Sequence, residues 1–284
     1  FRDIFAVSQW MLVRSIGGYL QLKLHYAIVG ARESASVLGT YSLASEISAL
    51  PTSELLAPIN RVLFPAFVRV KHDLVELKRV VLLAQGVQTM IAMPAAIGLI
   101  LVSSEAVLLL LGEKWMSAVP FVKLFALISF LTSIATSGTY VLLTLGKIRL
   151  IAISSWVLVG LFATLALVVF PEAGAFEIAN LYLAVVTFGL IALVMLLLRE
   201  LKGLRFRDIA ASIIRPLIAV SIMALCVIFV ARVAGLDGWW LLITKILVGA
   251  AVYSVSILAL WLISGRRPGA ESYLLEKARH WRKR

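Results

Sequence analysis

Ionisable side chains near the start of the chain lie inside two stretches that are otherwise long and apolar. These side chains are Arg14, Lys23 and His25 in the first stretch and Glu46, Glu54 and Arg61 in the second. A charge at the centre of a bilayer costs about 2.5–3.5 kcal/mol on insertion scales, so such a group normally faces a polar cavity or a partner. Two kinds of chemistry fit this pattern. The cations could bind an anionic substrate, or cations and carboxylates could form salt bridges that only neutralise each other.

The helical period places most polar residues of the first stretch on one face. At about 100° per residue that face carries Arg14, Gln21, His25 and Arg32, whereas Lys23 points roughly the other way. In the second stretch Glu46, Glu54 and Arg61 fall in one broad sector. Two such faces cannot both meet lipid, so we expect them to line an interior.

Two charge pairs are expected if these helices run antiparallel about a turn near Glu33. Residues at equal distance from the turn then lie at similar depth, which brings Arg14 near Glu54 and Lys23 near Glu46. Cations outnumber carboxylates in the pair of helices, which favours an anion site over simple neutralisation. Both interpretations remain open.

The elements that carry these residues are membrane helices. The chain is 62% hydrophobic with a mean hydropathy of +1.01, above the roughly 45–50% apolar content of soluble domains. A span needs about 20 mainly apolar residues. The sequence predicts an all-α polytopic membrane protein, with a short half-helix near 106–111 and eight spans at about 4–30, 36–66, 80–102, 118–145, 150–170, 177–198, 211–235 and 239–264.

Cations between the spans are divided very unevenly. Of 27 Lys and Arg, 18 fall on one set of connections and only Arg32, Lys114 and Arg232 fall on the other. By the positive-inside rule, both ends of the chain are predicted to be cytoplasmic. The 18 are Arg2, Arg69, Lys71, Lys78, Arg79, Lys147, Arg149, Arg199, Lys202, Arg205, Arg207, Arg266, Arg267, Lys277, Arg279, Arg282, Lys283 and Arg284.

Several other functions find little support in the sequence. The net charge of +12 is dispersed between apolar spans rather than gathered into a groove, which disfavours nucleic acid as a partner. Cys226 is the only cysteine and the three histidines are far apart, so no metal site is predicted. No phosphate-binding loop or catalytic carboxylate pair is recognisable, so we expect no cofactor and no enzyme activity.

Three further intramembrane cations lie within about two turns of a predicted membrane surface. Lys123, Arg215 and Lys245 are therefore expected to extend to the lipid headgroups. Residues 266–284 form a basic tail, expected in the cytoplasm. The chain starts at Phe1 rather than Met, which suggests a fragment that has lost helices packing against these.

Short motifs of the second and third spans resemble a known family. They are Leu38-Gly39-Thr40-Tyr41-Ser42-Leu43-Ala44, Leu50-Pro51, Ala57-Pro58-Ile59-Asn60-Arg61-Val62-Leu63-Phe64-Pro65, Met93-Pro94, Gly98 and Leu110-Leu111-Gly112-Glu113-Lys114-Trp115. From about Trp10 to Leu145, the chain resembles the C-terminal half of bacterial lipopolysaccharide and exopolysaccharide flippases. These belong to the multidrug, oligosaccharidyl-lipid and polysaccharide exporter superfamily.

The resemblance implies a division of the chain and a function. Residues 1–200 would be the second of two six-helix lobes, 207–265 two added helices and 266–284 the tail, in the bacterial inner membrane. The substrate would be a polyprenyl-diphosphate-linked oligosaccharide, flipped by alternating access between this lobe and a missing N-terminal lobe. Candidates for binding the diphosphate are Arg14, Lys23, His25 and Arg61, with Glu46 and Glu54 as their charge partners.

Other functions remain open beside this one. A drug or cation antiporter of the same superfamily is the alternative, although a cation substrate would favour a surplus of carboxylates. An integral membrane polysaccharide polymerase is less consistent with the chain, because such an enzyme usually has a large polar loop and no connection here exceeds about 15 residues.

Overall fold

The computed structural model describes residues 2–264, and this part of the chain is a bundle of α-helices without strands. The predicted all-α fold is confirmed. The helices are α1 (Arg2–Arg32), α2 (Ala35–Val70), α3 (Leu74–Leu111), α4 (Val119–Thr144), α5 (Ile148–Thr164), α6 (Ala175–Glu200), α7 (Phe206–Val233) and α8 (Gly238–Ile263). A 3₁₀ turn, Glu113–Ala118, precedes α4, and a π turn, Leu165–Val169, follows α5. The basic tail lies outside the described residues.

Six of the described helical segments are long and apolar enough to cross a membrane, so the chain is a multi-pass membrane protein. They are α3, α4 with its 3₁₀ turn, α5 with its π turn, α6, α7 and α8. Helices α1 and α2 have 31 and 36 residues, ample for a span, but their charged and hydroxyl side chains lower their hydropathy. The two helices predicted to carry the site are thus the ones that depart from plain membrane composition.

The third helix is longer than predicted. Asp73 caps its start by accepting hydrogen bonds from the N–H groups of Val75 and Glu76, and Gly112 ends it at a positive φ of +91°, which favours glycine. The prediction of a separate half-helix over 106–111 is wrong. Because no helix-breaking residue stands between Val102 and Leu111, α3 continues without interruption to the Gly112 cap.

Helix packing does not follow the order of the chain. Helix α1 lies against α5, whereas α2 and α6 pack on α4, and α3 packs against both α2 and α4. One core centres on Tyr41 and Phe125 near the α1–α2 turn, and another on Phe67 and Leu142 at the other end. We call that other end, where the loop cations lie, the basic end, and the α1–α2 turn end the opposite end.

Helices α7 and α8 pack together on the outside of α3. The Tyr253 hydroxyl donates to the Met90 carbonyl at 2.7 Å, and the Lys245 ammonium lies 2.5 Å from Glu105 Oε1. Lys245 is only 8% exposed. The expectation that Lys245 extends to the headgroups is therefore wrong, because a carboxylate 140 residues earlier in the chain neutralises it inside the protein.

Candidate functional site

A half-open cavity of about 460 Å³ lies among the helices, with α1 and α5 on one side and α4 and α6 on the other. Arg14 and Gln21 of α1 line it, together with Thr136 of α4, Ser154 of α5 and Tyr182 of α6. The predicted polar face of α1 is therefore turned towards α4 and α6 rather than towards α2.

One wall of the cavity is formed by α1 and α5, which lie close together, and α5 also touches α6 where Leu158 packs against Gly189. Gly17 allows the close contact, since a Cβ atom there would lie 3.1 Å from Nε1 of Trp156. That indole nitrogen donates to the Val13 carbonyl at 3.0 Å. A small residue on α1 and a large one on α5 thus hold these helices together, and the next residues on each helix face the cavity.

Of the cavity-lining residues in the described part of the chain, Arg14 alone is charged. The side chain is half-buried, and it forms no ion pair or hydrogen bond with any residue between 8 and 264. Arg14 lies one turn, about 6 Å, further into the bundle than Trp10. The Trp10 ring lies 5.6 Å from the Arg149 guanidinium at the start of α5. Arg14 is therefore close to the basic end of the cavity.

His25 is buried above the other end of the cavity and is 2% exposed. Its Nδ1 atom is hydrogen-bonded to the Tyr41 hydroxyl at 2.8 Å, and its ring stacks on Tyr182 with 4.2 Å between centroids. The ring of Tyr26, the next residue on α1, also lies 4.2 Å from the His25 ring, measured between centroids. Because Tyr182 also lines the cavity, His25 is linked to the cavity through that ring.

The predicted charge pairs between α1 and α2 do not form. Across residues 2–264, no ion pair joins Arg14 to Glu54 or Lys23 to Glu46, and both carboxylates are exposed. The physical reason is that the two helices diverge. Contacts between them lie near their turn, where Leu38 packs over Gly30 and Tyr41 reaches His25.

Lys23 and Arg61, the remaining candidates, are exposed with Glu46 and Glu54 on the surface of the bundle. The Lys23 ammonium lies 5.0 Å from the centre of the Tyr26 ring. The structure thus separates the predicted residues into two groups. Arg14 and His25 lie within or beside the cavity between the helices, and the other four side chains lie on the outside of α1 and α2.

Sequence reasoning missed the role of the α1–α2 turn. Arg32 donates hydrogen bonds to the carbonyls of Ala166 at 2.6 Å, Ala173 at 3.2 Å and Phe170 at 3.3 Å. Glu33 accepts one from the Ala175 N–H at 3.0 Å, the first residue of α6. The Ala175 N–H belongs to the first turn of α6, where backbone donors lack partners within the helix, and Arg32 joins the end of α1 to the segment that follows α5. An adjacent Arg-Glu pair on a loop with few charges was the available signal.

Comparison with known proteins supports the predicted resemblance. Residues 1–120 match the family described as "Polysaccharide biosynthesis protein". The chain is 34% identical over 125 residues to the lipopolysaccharide biosynthesis protein WzxC of Escherichia coli K12, covering 44% of this chain and 25% of that protein. It is 26% identical over 268 residues to the succinoglycan biosynthesis transport protein ExoT of Rhizobium meliloti, covering 90% and 53%.

A solved structure has a similar fold. It is the lipid II flippase MurJ in an inward closed conformation, with a TM-score of 0.69 and 14% identity. The match covers 89% of this chain and 52% of that one. The chain therefore spans about half the length, or less, of the proteins it matches. The predicted resemblance is confirmed: the sequence is similar to polysaccharide biosynthesis proteins, and the fold is similar to that of a flippase.

Proposed function

Because this chain is similar in sequence to polysaccharide biosynthesis proteins and in fold to a flippase, we propose that it is one lobe of a lipid-linked oligosaccharide flippase. In this proposal the protein moves a polyprenyl-diphosphate-linked oligosaccharide across the bacterial inner membrane by alternating access. It positions and transfers its substrate without making or breaking covalent bonds, and is therefore not an enzyme.

One observation carries the proposal beyond similarity: four charged side chains stand exposed on α1 and α2. Lys23, Glu46, Glu54 and Arg61 lie along helices of membrane length, and each would be costly against lipid. An opposing lobe would convert that surface into one wall of a hydrated passage. We therefore propose that residues 1–200 form the second lobe, that α7 and α8 are the added pair, and that an N-terminal lobe faces α1 and α2.

The cations are proposed to act on the diphosphate in two places. Lys23 and Arg61 would meet it in the passage between lobes, where Glu46 and Glu54 compete for the same cations and favour release. Arg14 would act within its own lobe, and buried His25 would act indirectly, through the position of Tyr182. A cation antiporter would instead depend on the two carboxylates.

The first test is complementation of a strain that lacks its own flippase. Expressed alone, residues 1–284 are expected not to restore surface polysaccharide, because the exposed polar faces need an opposing lobe. The full-length polypeptide that carries this chain should restore it. In the full-length protein, Lys23→Gln with Arg61→Gln should reduce export strongly, whereas Glu46→Gln with Glu54→Gln should reduce it less.

Polysaccharide at the surface and protein in the membrane should be measured together. A matched control is Arg199→Gln, which removes an exposed cation from the end of α6, outside both groups. Full export by the isolated chain would contradict the proposal. A greater loss from the carboxylate pair than from the cation pair would instead favour an antiporter.

The second test concerns orientation, for which the 18 to 3 division of loop cations is the support. We propose that the basic end faces the cytoplasm. With Cys226 replaced by serine, a cysteine at position 172 should react with an impermeant maleimide in intact cells, and a cysteine at 147 or 205 should react only after lysis. The reverse pattern would overturn the orientation.

A further inference from the structure

The cavity between α1, α4, α5 and α6 has an unusual combination of hydrogen-bonding groups. Among the described residues that line it there is one cation, Arg14, and no carboxylate. It also contains hydroxyl groups from Ser15, Thr132, Thr136, Thr139, Tyr140, Ser154, Ser155 and Tyr182, and the amide of Gln21. At about 460 Å³ it falls within the roughly 300–1,000 Å³ typical of small-molecule sites. Its size and polarity suit a ligand rather than a packing defect.

Most of the hydroxyl groups that line the cavity already donate their hydrogen atoms to backbone carbonyls. Thr136 donates to the Thr132 carbonyl at 3.0 Å and Thr139 to the Ala135 carbonyl at 3.0 Å. Thr132, Ser154 and Ser155 likewise donate to carbonyls of their own helices. A hydroxyl that donates in this way keeps its oxygen lone pairs as acceptors. These five groups therefore offer acceptors, and they match a ligand with several O–H donors.

Arg14, in contrast, requires hydrogen-bond acceptors from a ligand. Its guanidinium has five N–H donors and finds no acceptor among the described residues. Arg suits phosphate because two of its parallel N–H groups can bind two oxygens at once. A ligand that satisfies both halves of the cavity carries an anionic group such as phosphate at one end and a cluster of hydroxyl groups at the other.

We propose that this cavity binds the polyhydroxylated phosphate ester of an amphiphile, with the phosphate on Arg14 and the hydroxyl groups towards Thr136, Ser154 and Tyr182. Two sources have this chemistry: the sugar-phosphate end of a lipid-linked oligosaccharide and the headgroup of phosphatidylglycerol. The inference rests on the proposed function only in the choice between these two ligands. The site lies within one lobe and is separate from the surface that carries Lys23 and Arg61.

The test uses the full-length polypeptide that carries this chain, reconstituted in phosphatidylcholine nanodiscs with Cys226→Ser and Ala135→Cys. Ala135 lines the cavity without donating a side-chain hydrogen bond. Maleimide should label this cysteine, and glucose 1-phosphate should slow the labelling. Glucose or inorganic phosphate alone should need a concentration at least roughly tenfold higher, since each satisfies only half of the site.

Three variants locate the interaction. Arg14→Gln should raise the glucose 1-phosphate concentration needed for protection roughly tenfold to hundredfold, because it removes a charge-assisted hydrogen-bond donor. Arg14→Lys keeps the charge and should lose less. Arg199→Gln, on a helix that lines the cavity but outside it, should behave as the parent.

A second arm replaces part of the phosphatidylcholine with phosphatidylglycerol. Slower labelling in these nanodiscs without sugar phosphate, abolished by Arg14→Gln, would identify the lipid headgroup as a ligand. Protection by glucose 1-phosphate alone would identify the sugar-phosphate end. The proposal is overturned if the cysteine is not labelled, if neither probe protects it, or if Arg14→Gln is protected as well as the parent. Because protection is measured on purified protein, it can fail while the full-length protein still exports polysaccharide.

Discussion

Replacement of Lys245 by methionine should destabilise the contact between α8 and α3. In the parent protein the Lys245 ammonium lies 2.5 Å from Glu105 Oε1 and 3.4 Å from the Leu101 carbonyl. The Lys245 side chain is 9% exposed and that of Glu105 is 20% exposed. Each residue lies about 10 Å along its helix from the end of the bundle that holds the α1–α2 turn. The second carboxylate oxygen, Oε2 of Glu105, accepts no hydrogen bond from the described residues. Methionine fills the space of the lysine stem but leaves the carboxylate without its cation.

The expected loss is about 3 kcal/mol. Removing one partner of a buried ion pair typically costs about 3–5 kcal/mol, and we take the lower figure because the Glu105 side chain is partly exposed. At roughly 2–4 °C per kcal/mol for a chain of this size, the apparent Tm should fall by roughly 6–12 °C. Replacement of both residues, Lys245→Met with Glu105→Leu, should restore the Tm to within about 3 °C, since apolar side chains can replace a buried pair without loss.

Thermal unfolding in detergent measures both variants. Lys123→Met is the matched control, because Lys123 is an exposed lysine near the same end of the bundle and should lose little. An unchanged Tm for Lys245→Met, or a double variant as unstable as the single one, would refute the view that the pair stabilises the helix contact.

Two further changes test the connections between distant helices. Gly17→Leu should lower stability by about 1–3 kcal/mol, because its side chain would enter the indole packed against it, whereas Gly18→Leu has open space and should not; equal Tm values for the two variants would contradict this. Arg32→Met should cost about 2 kcal/mol through the loss of three charged hydrogen bonds, compared with little for the exposed Arg232→Met at the same end. Proteolysis at the α5–α6 turn should then be faster in Arg32→Met than in Arg232→Met. Equal rates would contradict a stabilising role for the hydrogen bonds that Arg32 donates.

Local sequence features sufficed to predict the helices. Long apolar runs separated by polar turns placed the second helix at 36–66, and it is found at Ala35–Val70. The helical period also predicted correctly that Arg14 and Gln21 share a face. Both predictions depend on neighbours within a few turns of the same helix, which a single sequence contains.

The choice of neighbouring helix could not be predicted in the same way. We expected α1 to face α2 because the two are consecutive, but α1 lies against α5 through Gly17 and Trp156. Nothing in the spacing of either residue reveals the other, 139 positions away. Lys245 and Glu105 are separated by a similar number of residues. The sequence therefore predicted a lysine at the headgroups where the structure has a buried ion pair.

The two contacts between α1 and α5 have a consequence for any movement of this protein. Trp156 holds the middle of α1, and Arg32 holds its end to the backbone that follows α5. Two well-separated attachments oppose both sliding and relative rotation of these helices. A tilt of α1 should therefore carry α5 with it. Because Glu33 also joins the α1–α2 turn to the start of α6, the tilt pivots at that turn, and the distance that changes most is the one at the basic end, where Arg14 lies. The width of the Arg14 cavity thus reports the angle of the first helix.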